Sequence, residues 1–72
     1  MTNLEKADQA LAALTAADRK VADLARDLGI QIAVGLPVPP EDREAYGKAR
    51  VAAKQAEDAY LAIVDELMAV AS

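Results

Sequence analysis

Seventy-two residues with 8 Lys and Arg against 12 Asp and Glu, and neither Cys nor His, make one small domain without disulfide, thiolate or imidazole chemistry. The net charge of −4 weighs against nucleic acid as a partner, because phosphate binding needs a basic surface. The 54% hydrophobic share overstates the core material, since eighteen of those residues are Ala and there is no Phe or Trp.

The chain opens on Thr2-Asn3-Leu4-Glu5, a capping box in which Thr2 caps the helix and Glu5 sits three residues on. This start has neither a basic segment nor an apolar core, so no secretory signal is expected and the expected localisation is cytoplasmic. Leu4, Ala7, Leu11, Leu14, Val21, Ala25 and Leu28 then recur at helical spacing, which predicts a first helix over about residues 3–28. Thr15-Ala16-Ala17-Asp18 forms a second capping box inside it, but the apolar spacing keeps its phase on both sides, so one helix is expected.

Gly29 followed by Ile30 suits a left-handed helix stop, and Gly35-Leu36-Pro37 offers another. The earlier stop is preferred, because a longer helix would put Ile30 and Val34 on the face of Asp23, Arg26 and Asp27. Residues 29–39 are thus expected to form an apolar, Pro-rich connector that packs over the end of a helical bundle. Pro37-Val38-Pro39-Pro40 contains a PxxP spacing, read here as helix punctuation.

Pro39 and Pro40 suit the first turn of a second helix, with Glu41, Asp42 and Glu44 matching its dipole. That helix is expected over about residues 40–70, with an unbroken heptad stripe of Tyr46, Ala49, Ala53, Ala56, Tyr60, Ile63, Leu67 and Val70. Folding one helix on the other sets Leu28 against Tyr46, Val21 against Ala53, Leu14 against Tyr60, Leu11 against Ile63 and Leu4 against Val70. Asp18 falls near Ala56, and a slight rotation that turns Ala17 inward would leave it solvated. The expected fold is all-α: an antiparallel two-helix hairpin with a coiled-coil-like seam, 1–72 as one domain, dimerising into a four-helix bundle.

Catalysis finds little material. The commonest general base and nucleophiles are missing apart from the terminal Ser72, and the carboxylates Asp23, Asp27, Glu57, Asp58, Asp65 and Glu66 flank the stripe instead of occupying it. No enzyme activity, cofactor, metal or membrane partner is expected. Surplus apolar surface is the functional signal. Leu61, Val64 and Met68, with Leu24 as a smaller counterpart on the first helix, are expected to carry self-association. Ile32, Val34, Leu36 and Val38, edged by Arg43 and Lys48, are expected to bind a larger protein.

Charge is also uneven. Residues 19–54 carry seven basic and five acidic side chains, whereas the remainder has Lys6 against seven acids. Ordinary surface scatter is the plainer explanation; the sharper one is an interface in which the loop end of one hairpin lies beside the terminal end of another. The functional expectation is a small interaction module that inhibits a larger protein, such as a virus-encoded regulator of a host factor. A small structural subunit of a virion or filament is the alternative.

Overall fold

The computed structural model describes residues 2–71 as two helices, α1 (Asn3–Ala33) and α2 (Pro40–Ala71), packed against each other as a hairpin of 54 × 20 × 14 Å. α1 begins as its capping box dictates. Thr2 is extended, with φ −76° and ψ 161°, and its Oγ1 accepts a hydrogen bond from the Glu5 amide at 3.1 Å. The helix runs unbroken through Thr15 and through Gly29.

The first helix therefore ends later than residue 28, and this corrects the earlier stop. Gly35, at φ +78°, supplies the left-handed residue. The Leu36 amide reaches back to the Gln31 carbonyl at 2.9 Å and the Gly35 amide to the Ile32 carbonyl at 3.1 Å, the paired bonds of a Schellman stop. A mid-helix glycine costs only about 1 kcal/mol relative to alanine, so Gly29 is passed over while a full hydrogen-bonded stop lies a turn and a half ahead. The foreseen cost is real: Ile30 and Val34 are 56% and 64% exposed. The remaining link, residues 34–39, closes on Pro39, whose carbonyl accepts from the Asp42 and Arg43 amides at 3.1 and 3.3 Å and so starts α2.

Because a Cβ at Gly35 would meet nothing within 4 Å, its glycine is needed for backbone angle alone. Gly35→Ala should destabilise the protein by about 1 kcal/mol, the penalty for an L residue in the left-handed region. Chemical denaturation checks this; an unchanged midpoint would mean the turn readily adopts another form.

The seam follows two heptad series. In α1 the half-buried positions are Ala7, Ala10, Leu14, Ala17, Val21, Leu24, Leu28 and Gln31. In α2 they are Asp42, Tyr46, Ala49, Ala53, Ala56, Tyr60, Ile63 and Leu67, with Ala49 buried and Val64 also half-buried beside the series. Steps of three and four alternate without a break in both. Taken in order they pair from Gln31–Asp42 at the loop end, joined by a 3.5 Å hydrogen bond from Gln31 Nε2 to Asp42 Oδ2, to Ala7–Leu67 at the other.

The α2 stripe matches expectation as far as Leu67; Val70 is 75% exposed. The α1 stripe is shifted by one residue in places. Ala10, Ala17 and Leu24 hold seam positions, while Leu4, Leu11 and Ala25 lie outside them. The phase of α1 is set by Val21, Leu24 and Leu28; continuing their rhythm backward lands on Ala17, Leu14, Ala10 and Ala7. Small residues at these positions let the helices approach closely. Asp18 accordingly stays exposed, with Ala17 turned inward.

Candidate functional site

Ion pairs do not hold this hairpin together. Arg26–Asp23 (3.9 Å), Lys48–Glu44 (3.2 Å) and Lys54–Asp58 (3.1 Å) each lie within one helix and are solvent-exposed, so each contributes little to stability. Lys54 is held above its usual pKa by the hydrogen bond to Asp58, then by the charges of Asp58 and Glu57. The Arg50 guanidinium lies 5.8 Å from the centre of the Tyr46 ring, one turn away on the same helix. The carboxylates singled out in the sequence are all exposed. Among the described residues no acidic group is arranged to hold a metal ion, and no helix is long and apolar enough to cross a membrane.

What the fold leaves over is apolar surface, and it is organised. Leu4, Leu11, Asp18, Ala25 and Ile32 recur every seven residues along α1, as do Arg43, Arg50, Glu57, Val64 and Ala71 along α2. Seven residues are two helical turns, so each row keeps to one side of its helix. Asp18 lines a groove with Arg50, Lys54 and Glu57, and Ile32 lines another with Leu28, Val38 and Arg43. The two rows therefore share one flank of the hairpin. At its terminal end stand Leu4, Leu11, Val64 and the neighbouring Leu61 and Met68, of which Leu4 and Met68 are 69% and 58% exposed. Acidic Asp18 and Glu57 follow, then basic Arg50, Lys54 and Arg43, and finally Ile32 and Val38 at the loop end.

The opposite flank is small-featured. Ala17, Lys20, Leu24, Ala45, Lys48, Ala49 and Ala52 line its central groove. Leu24 thus sits half-buried against the alanines of α2, as part of the hairpin's own seam. Of the expected self-association residues, Leu61, Val64 and Met68 are brought together on the apolar flank.

Leu4 and Leu11 extend that patch onto α1. The signal that could have found them was the Val21-Leu24-Leu28 rhythm, which fixes the phase of the whole helix. The residues expected to bind a partner divide. Ile32, Val38 and Arg43 face the apolar flank, whereas Val34, two heptads on from Lys20, falls on the side of Lys48. Leu36, 57% exposed, stands in the turn between. The grooves described are open surface depressions, and none of them encloses a small molecule.

Comparison with protein-family models, curated proteins and solved structures finds no match to this chain. Its class is set by its own geometry: an antiparallel two-helix hairpin.

Proposed function

We propose that this chain is a small, non-enzymatic protein–protein interaction module of the cytoplasm. It pairs with a second copy into a four-helix bundle and inhibits a larger protein by occupying part of its surface. The observation that carries this proposal is an open core. Among the described residues only Ala49 is buried, at 6% exposure, while ten large apolar side chains from Leu4 to Val70 stand exposed. Exposed apolar surface grouped in patches on a charged, soluble-looking protein is the usual mark of an interaction site.

Self-association uses Leu61, Val64 and Met68; recognition of the larger partner uses the tip of the hairpin, Val34 and Leu36, with Lys48 on the same side. Two variants separate these roles. Leu36→Asp should leave mass and helicity unchanged and abolish cross-linking of a photoreactive group at Val34 to a cellular protein. Val64→Glu should weaken the dimer and leave that tip intact. Equal cross-linking by the wild type and Leu36→Asp would remove the tip as the docking surface.

The alternative, a structural subunit of a filament or shell, draws support from the apolar surface at both ends of the rod. It calls for a mass that keeps growing with concentration, where the regulator calls for one discrete oligomer.

A further inference from the structure

The apolar flank has a definite length, and its charges change sign along it. Asp18 and Glu57 lie on one side of its midpoint, Arg50 and Arg43 lie on the other, and Lys54 lies at the midpoint itself. Arg50 and Glu57 are seven residues apart on one row of α2, so they flank the level of Ala53 symmetrically. A face built this way is complementary to itself when turned end over end. Laid parallel to a copy, it would stack Asp18 and Glu57 on the same acids, and Arg43 and Arg50 on the same bases, repulsions that disfavour that arrangement.

Area points to the same answer. The chain exposes 5342 Å², about 1,000 Å² more than the roughly 4,300 Å² of a compact monomer of its mass. A stable dimer takes about 800 Å² from each partner. One full face of a rod measuring 54 × 20 Å offers about 1,100 Å², whereas overlap confined to the terminal apolar patch offers about half of that.

We propose that a second copy of this chain covers the Leu11–Val64 flank along its whole length, running antiparallel, with a two-fold axis at the level of Ala53. Glu57 of each copy then meets Arg50 of the other. Leu11 of each copy then comes to Ile32 of the other, Leu4 and Met68 at the terminal end of one come to Val38 at the loop end of the other, and Val64 packs on the aliphatic stem of Arg43. Asp18 stays at the solvated edge of the central charge layer. This deepens the self-association proposed above and rests on it. It leaves Val34 and Leu36 uncovered, one tip at each pole of the dimer.

Single cysteines test the arrangement, because the native chain has none. Leu11→Cys and Ile32→Cys replace side chains that are 44% and 66% exposed, so neither threatens the hairpin. On brief oxidation by copper phenanthroline, an equimolar mixture is expected to give the mixed disulfide in several-fold excess over either homodimer. Rapid Leu11→Cys self-linking would overturn the antiparallel orientation. A dimer by light scattering that links in neither combination would take the interface off this flank. A monomer by light scattering would overturn self-association itself, a different result from either.

Discussion

Leu14→Asp is expected to unfold the protein. Leu14 lies midway along the terminal half of the seam, half-buried, at the level of Tyr60. Removing a leucine from a packed seam costs about 2–5 kcal/mol, and a carboxylate in its place adds the cost of desolvating a charge. A single small core supplies only about 3–5 kcal/mol in total. No ion pair between the helices is present among the described residues to compensate. Circular dichroism should show most of the helix signal lost at 25 °C. A Leu14→Asp variant that stays soluble and fully helical, with unchanged mass, would refute the seam.

Ala49→Leu is expected to act by the opposite means, through crowding. Ala49 is the one buried residue among those described, and its layer with Leu24 lies between those of Leu28–Tyr46 and Val21–Ala53. Adding three carbons at this buried position forces the helix axes apart, for a cost of about 1–3 kcal/mol. In a chain of this size that lowers Tm by about 10 °C. Ala52→Leu, one turn away on the exposed alanine flank, is the control and should shift Tm little. Equal effects at the two positions would mean that the helices are not held close by small residues.

These two expectations depend on different degrees of legibility in the sequence. The α2 stripe from Tyr46 to Leu67 could be read directly, because every third or fourth residue is apolar or Ala and the neighbouring series of Leu61, Val64 and Met68 begins only near its end. The capping box at Thr2 and the helix start at Pro39 and Pro40 were equally plain, since each is a local hydrogen-bonding rule. In α1 two series compete. Leu4 and Leu11 look like seam residues beside Ala7 and Leu14, and only the phase imposed by Val21, Leu24 and Leu28 puts Ala10 and Ala17 in their place. Apolar size alone points to the larger residue, whereas closeness of packing selects the smaller.

The C-terminus of α1 shows a similar limit. Gly29 and Gly35 carry the same local signal, and the choice between them turned on three-dimensional partners: Gln31 reaching Asp42, and a turn that closes on Pro39. The apolar flank was visible in half. Leu61, Val64 and Met68 stand out on α2, but their continuation through Leu4 and Leu11 needs both helices placed side by side. So does the reversal of charge at mid-rod. Uneven charge between the two ends of the rod was evident from composition, but the order of Asp18, Glu57, Arg50 and Arg43 along one flank was not.

The central claim is that this hairpin completes its core with a second copy of itself. Light scattering on the pure protein across a hundred-fold dilution series tests that claim most directly. A mass steady near twice 7.6 kDa, with helicity unchanged, is the predicted result. A fully helical monomer of 7.6 kDa at every concentration would contradict it, because the exposed Leu4, Leu11, Leu61 and Met68 would then be stable in water without any cover.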